Sequence, residues 1–389
     1  MTMALDNIVV LDLTRVLAGP YCTMILADLG AEVIKIERPD AGDDSRSFPP
    51  FKNGESGYYM SLNRNKKGIT MDLKSHGDRE AFIELVKQAD VVVENFRPGT
   101  MERLGLGYEA LKQINKKIVY AAISGFGQDG PLSQKPAYDL IVQGMGGLMG
   151  LTAHPGGMPT RVGSAIGDIA AGMFAAIGIL AALNKRNETG KGQMVDVSML
   201  DCQVALLENA IARYSFSGKN PEPTGNRHPS IAPFQSFPTK DGHVIAAAGN
   251  NSLWEKFCQA LGTEHLLNDD RFVDNSKRVD NIHELQEELD IIFKQKTSQE
   301  WMAILSDAGV PNGPISTVEE VVKNPQVLYR EMVLEVEHPM VGTYLTQGVP
   351  IKLSDMKKSN ISPPPTLGQH NEEIRAKYLG KNEKKVKII

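Results

Sequence analysis

Two short runs decide the fold: Asn7-Ile-Val-Val-Leu-Asp-Leu13 and Ala31-Glu-Val-Ile-Lys-Ile-Glu37. Both are largely apolar and carry β-branched residues, which predicts strands. Between them a helix is expected from about Pro20 to Leu29, stopped by Gly30. The same alternation continues along the chain. A helix over Arg79–Gln88 leads into Val91-Val-Val93, and a helix over Tyr108–Ile114 leads into Ile118–Ile123. Short apolar strands separated by helices predict a parallel sheet covered on both faces. Sites in such sheets lie at the carboxyl ends of the strands. The loops after Leu13, Ile36, Val93 and Ile123 are therefore the places to look.

Composition bounds the rest. The 389 residues are 41% hydrophobic and 23% charged, which excludes a disordered or collagen-like chain. Net charge is −5, so there is no overall basic footprint for nucleic acid. The three cysteines, Cys22, Cys202 and Cys258, are far apart and form no C-x-x-C pair. A reducing cytoplasm is the expected setting, and no metal site is expected. The N-terminus has no basic stretch ahead of an apolar run, so no signal peptide is expected. The longest apolar run, Ala165–Leu183, is rich in Ala and Gly and contains Asp168. It reads as a buried helix rather than a membrane span.

Downstream the pattern changes. Residues 216–242 are rich in Gly, Pro, Asn and Ser and read as a linker. A strand at His243–Ala248 and helices over Ser252–Leu261, Ile282–Gln295 and Ser298–Ala308 predict a second, smaller α+β domain. Strand signals return at Gly342–Gln347, and a helix is expected over Asn371–Tyr378. The lysine-rich tail, Lys381–Ile389, reads as a frayed end.

Three features carry chemistry. Gly125-Phe-Gly127-Gln-Asp-Gly130 matches G-x-G-x-x-G after a strand, but Pro131 and Pro136 forbid the helix that a dinucleotide needs. A mobile loop is the better reading. Asp168 opens the Ala/Gly-rich helix. The plain alternative is a helix N-cap. Against it, small neighbours leave room for a ligand, and the positive helix end is expected to hold the carboxylate ionised below its reference pKa of ~3.9. An ionised carboxylate in such a pocket suits a nucleophile. Lastly, Arg15, Arg38, Arg46, Lys74, Arg97, Arg103 and Lys135 cluster at predicted strand ends, as a phosphorylated ligand requires. There is no H-E-x-x-H, P-loop or G-x-S-x-G, and the eight histidines are dispersed.

Leu11-Asp-Leu-Thr-Arg-Val-Leu-Ala-Gly-Pro20, Gly30–Pro39, Gly42-Asp-Asp-Ser-Arg46, Asn63-Arg-Asn-Lys-Lys67, Glu94-Asn-Phe-Arg-Pro-Gly99, Ser124–Gly127, Ala137-Tyr-Asp139 and Gly190-Lys-Gly-Gln193 together resemble the class III CoA-transferases. That group contains formyl-CoA and carnitine CoA-transferases and α-methylacyl-CoA racemase. The resemblance runs from about residue 5 to residue 380. It implies an α/β fold: a large Rossmann-like domain whose parallel sheet is built from both chain ends, a smaller α+β domain, and a homodimer of interlocked rings. The implied division is 1–200 for the first part of the large domain, 201–225 for a linker, 226–320 for the small domain, and 321–389 for a linker and return segment.

The resemblance also implies roles. Asp168 matches the nucleophile that forms an acyl anhydride and then an aspartyl-CoA thioester. Arg38, Met71, Asp72, Leu73, Lys74, Asn95, Phe96, Arg97, Arg103, Lys135, Ala137 and Tyr138 match positions that hold coenzyme A, and Leu17 and Ala18 match the lining of the thioester site. CoA is thus expected as a substrate, with no tightly bound cofactor, no nucleic-acid partner and no membrane. Formyl-CoA:oxalate enzymes carry Gln where Leu17 stands, so this chain departs from them. Racemases place His where Tyr138 stands, and a Tyr with a reference pKa of ~10 is a poor base at neutral pH. The pattern most resembles the branch acting on small dicarboxylates. Arg46, Asn226 and Arg227 are candidates for a second carboxylate contact, and Gly249 and Asn250 fall at the family's mobile glycine loop. An acyl-CoA racemase or a silent CoA-binding protein is the alternative.

Overall fold

The computed structural model describes residues 3–355 and 361–380. Six parallel strands form the main sheet: β1 (Val9–Asp12), β2 (Glu32–Glu37), β3 (Lys66–Thr70), β4 (Val91–Glu94), β5 (Val119–Ser124) and β6 (Met194–Ser198). Their order is β3-β2-β1-β4-β5-β6, and register is set by pairs such as Val10 with Val33 on one side and Val91 on the other. The order in which strands are added thus reverses between β1 and β4, where ligands bind in doubly wound folds.

Both faces are covered, as continuous apolar strands demand. On one face lie α1 (Ala18–Asp28) and α5 (Ile166–Thr189), packed over Val10, Val33, Val91 and Val119. On the other lie α2 (His76–Val86) and α3 (Tyr108–Ile114), over Leu11, Ile34, Val92 and Tyr120. Gly172 lets α1 and α5 approach closely: a Cβ there would stand 2.7 Å from the Ala18 carbonyl oxygen. By length and composition α5 is apolar enough to cross a membrane, yet half of its apolar window is buried within the protein.

Several expectations are corrected. No strand of the return segment joins the sheet among the described residues. That segment instead forms a hairpin, β10 (Val333–His338) with β11 (Gly342–Gln347), and its later part seals the sheet edge. There the His370 amide donates to the Gly68 carbonyl and the Thr70 amide to Asn371 Oδ1. An edge strand left bare would invite pairing with other chains. Residues 201–225, expected as linker, hold most of α6 (Met199–Ala205) and also α7 (Ala210–Ser217). G-x-G-x-x-G forms a loop with Gly127 and Gly130 at positive φ, and the next helix, α4, begins only at Asp139 (Asp139–Met145).

The chain separates into two compact units. The smaller comprises Gly150–Thr160 and Ser217–Pro325, and so includes a segment from within the range 1–200. It contains a three-stranded sheet, β9 (Asn312–Pro314), β8 (His243–Ala247) and β7 (Phe234–Pro238), in that order. Strand β7 lies in the stretch expected to be a linker. Helices α8 (Asn251–Leu261), α9 (Ile282–Phe293) and α10 (Ser298–Asp307) cover it around an aromatic core. In that core Phe237 stacks on Phe293 at 4.3 Å, and Trp301 Nε1 donates to the Phe293 carbonyl. The lysine-rich tail lies outside the described residues.

Candidate active site

Asp168 is the third residue of α5 and is half-buried. The N-cap position belongs to Ala165, which makes no side-chain cap. The capping task falls to another carboxylate. Asp139, at the start of α4, accepts the Gly167 amide at 2.8 Å on Oδ1 and the Gln143 Nε2 at 2.7 Å on Oδ2. Gln143 Oε1 in turn accepts the Val162 amide. Residue 167 must be Gly, because a Cβ there would stand 3.0 Å from Asp139 Oδ1 and 2.8 Å from Val142. The Asp168 carboxylate itself makes no hydrogen bond or ion pair among the described residues. Its oxygens are therefore not spent on tethering amides, which removes the N-cap reading.

The expected low pKa is corrected. Burial, and then the charge of Asp139, push Asp168 up to about 7. Removal from water and a like charge both disfavour the ionised form, and here they outweigh the helix end. Nothing in the sequence signalled Tyr58. Burial and then the charges of Asp168, Asp139 and Asp43 push its phenol up to about 12, so it lies in the field of both carboxylates. The sequence also hid Gln203, fully buried beside Gly167 with neither carboxamide atom partnered among the described residues.

Ala18 and Leu17 are buried at the start of α1. Gly172, one turn beyond Asp168 on the same face of α5, meets the Ala18 carbonyl. The preceding residue, Val16, holds φ +67, a conformation that costs a β-branched residue of order 1–3 kcal/mol. Its amide donates to Asp43 Oδ1, and Asp43 Oδ2 pairs with the buried Lys35 at 2.8 Å. The turn ahead of Leu17 is thus fixed from below.

A second set of expected residues meets in one cavity of about 790 Å³ at the carboxyl ends of β1, β2, β3 and β4. Arg38, Met71, Asp72, Leu73, Lys74, Phe96 and Arg103 all line it. This volume suits a nucleotide-sized group. Lys74 and Arg103 have no acidic partner among the described residues, whereas Arg38 pairs with Asp44 at 2.9 Å. Unpaired cations at such a rim favour phosphate. Asn95 is not on that wall: its carboxamide both accepts from the Arg15 amide and donates to the Arg15 carbonyl. Arg97 is exposed in the same loop, and Lys135, Ala137 and the largely exposed Tyr138 lead into α4.

Arg46 is corrected as an acceptor contact. It grips Glu37 through two bonds of 2.7 and 2.8 Å, donates to the Pro365 carbonyl and lies 3.7 Å over the Tyr59 ring, so its charge is already paired. Asn226, Arg227, Gly249 and Asn250 belong to the smaller unit, where Asn250 caps α8 through the Leu253 amide.

A doubly wound sheet with a cavity suited to a phosphorylated ligand at its strand ends, and an unbonded carboxylate at a helix start, fit an enzyme that handles a phosphorylated substrate. The profile of CoA-transferase family III matches residues 5–371, and the chain belongs to that family. It is a CoA-transferase. It is 42% identical to succinyl-CoA:glutarate CoA-transferase of Homo sapiens, over 96% of this chain and 86% of that enzyme. It is also 42% identical to acetyl-CoA:oxalate CoA-transferase of Acetobacter aceti, over 97% of each. A CAIB/BAIF family protein from Brucella suis superposes with a TM-score of 0.87 at 40% identity, covering 97% of this chain and 100% of that one. These relatives place it within the dicarboxylate branch.

Proposed function

We propose that the enzyme moves CoA from a short acyl-CoA donor, formyl-, acetyl- or succinyl-CoA, to a small dicarboxylate acceptor such as oxalate or glutarate. The observation that carries this reading is the Asp168 carboxylate, left unbonded while Asp139 does the capping. In the proposed cycle one Asp168 oxygen attacks the thioester carbon, the C–S bond breaks, and CoA leaves as thiolate. An acyl-aspartyl anhydride remains. The thiolate then attacks the aspartyl carbon, releasing the donor's carboxylate and leaving an aspartyl-CoA thioester. The acceptor carboxylate attacks the aspartyl thioester carbon and expels CoA thiolate, giving a second anhydride. The thiolate then attacks the acceptor's carbonyl carbon, forming the new acyl-CoA and freeing the Asp168 carboxylate. Each step exchanges one activated acyl group for another, so no ATP is needed.

Arg38, Lys74 and Arg103 supply cationic contacts for CoA phosphates in this reading, with Met71–Leu73 and Phe96 as the apolar and backbone wall. Asn95 acts by fixing the Arg15 loop, Leu17 and Ala18 line the thioester end, and Arg97, Lys135, Ala137 and Tyr138 complete the CoA path. The working form is a homodimer in a reducing, cytoplasmic setting. Three free, buried cysteines fit that setting.

A donor–acceptor matrix tests the reading: formyl-, acetyl- and succinyl-CoA against oxalate and glutarate, read by mass spectrometry. Acceptor-dependent exchange is expected with at least one pair. Exchange of an α-hydrogen of a 2-methylacyl-CoA for solvent deuterium with no acceptor present would favour the racemase instead.

A further inference from the structure

We propose that the smaller unit carries its own binding site for a small oxyanion, a dicarboxylate or inorganic phosphate, centred on Arg227. The site is a cavity of about 570 Å³ formed wholly within that unit. Arg227 lines it, half-buried and without an acidic partner among the described residues. Three imidazoles, His154, His243 and His283, reach the same wall from different segments, and no carboxylate lines it. One guanidinium and three ring N–H donors around a cavity without acids form an environment selective for negative charge.

The site is built rather than accidental. The backbone of Arg227 is held in a turn: its amide donates to the Thr224 carbonyl at 3.2 Å, and Thr224 Oγ1 donates to its carbonyl at 2.7 Å. Asn226 Nδ2 donates to Ser236 Oγ at 2.9 Å, tying that turn to β7. The independent sign of a missing ligand is Gln235. It is 3% exposed and borders the cavity, and its carboxamide oxygen has no donor among the described residues. Buried polar groups in folded proteins are normally paired. Rotation of the carboxamide exchanges its oxygen and nitrogen and turns an N–H toward a bound oxyanion. The inference does not depend on the chemistry at Asp168, which lies in the larger unit.

Histidine footprinting on the full-length protein tests it. Diethyl pyrocarbonate, which modifies accessible neutral imidazole, is applied at one fixed pH with glutarate, with inorganic phosphate, or with neither. Peptide mass spectrometry then reads each histidine. Protection is expected at His154, His243 and His283 and not at His76 or His265. Arg227→Gln is expected to raise the half-protecting concentration about tenfold, the effect of losing a charge-assisted bond. Arg227→Lys, which keeps the charge, is expected to fall between. Asp168→Ala is expected to leave the protection in place, which separates this site from the transferase reading. Protection by phosphate alone assigns the site to phosphate, and protection by glutarate assigns it to dicarboxylates. Absence of protection by either, or protection equal in wild type and Arg227→Gln, overturns the proposal.

Discussion

Asp168 and Asp139 divide two tasks that one carboxylate would otherwise combine. Asp139 satisfies the helix end through Gly167, and Asp168 is left to react. The consequence is a nucleophile that titrates near neutrality, raised to about 7 by burial and by its neighbour's charge. Only the ionised form attacks, so single-turnover acylation should rise with pH through about 7 and fall about tenfold per unit below it. Asp139→Asn keeps an oxygen for the Gly167 amide and removes the like charge, so it should move that limb to lower pH. Stopped-flow acylation between pH 5 and 8 checks both. A flat profile, or a limb unmoved in the variant, contradicts the assignment. The sequence marked Asp168 through its small neighbours. It did not reveal the ionisation state, because that depends on burial and then on Asp139, both set only by folding. Arg46 shows the opposite failure: a basic residue at a strand end reads as a ligand contact until Glu37 and Tyr59 are seen to occupy it.

Among the elements, strands read as apolar runs were legible, and one of those that were not shows why. Strand β3 begins Lys66-Lys67, charges that argue against a buried strand. Yet Lys66 is fully buried, bonded to Asp12 at 3.0 Å on β1, one strand beyond its neighbour β2, and to Asn63 and Thr23. A buried charge becomes tolerable once paired and hydrogen-bonded, and that pairing is long-range. Helices α6 and α7 were hidden for another reason: much of their apolar surface faces outward. Ile211 is 52% and Phe216 93% exposed, and on α5 Ile177 is 61% exposed. Apolar side chains left outside on three helices support a second copy as their cover. Sedimentation equilibrium should give twice the chain mass of 42.5 kDa, and Ile177→Glu should weaken the association. A monomer at micromolar concentration contradicts the dimer.

At the scale of the whole molecule, a parallel sheet covered on both faces was readable because strand and helix signals alternate over the first 124 residues, while the strand order came from the structure. The division into units was less so, since Gly150–Thr160 joins the smaller unit across a long separation in sequence. Spatial convergence was the least legible property. Residues from the ends of four strands meet in one cavity; the strand-end reading linked Arg38, Lys74 and Arg103 beforehand, and only the resemblance linked the rest. The central claim is covalent: CoA becomes attached to Asp168. The direct measurement is to incubate the enzyme with succinyl-CoA, trap with hydroxylamine or borohydride, and map the modified peptide by mass spectrometry. The account predicts a label on Asp168 that requires the donor and is absent from Asp168→Ala. An unlabelled Asp168 in an enzyme that still exchanges CoA would contradict it.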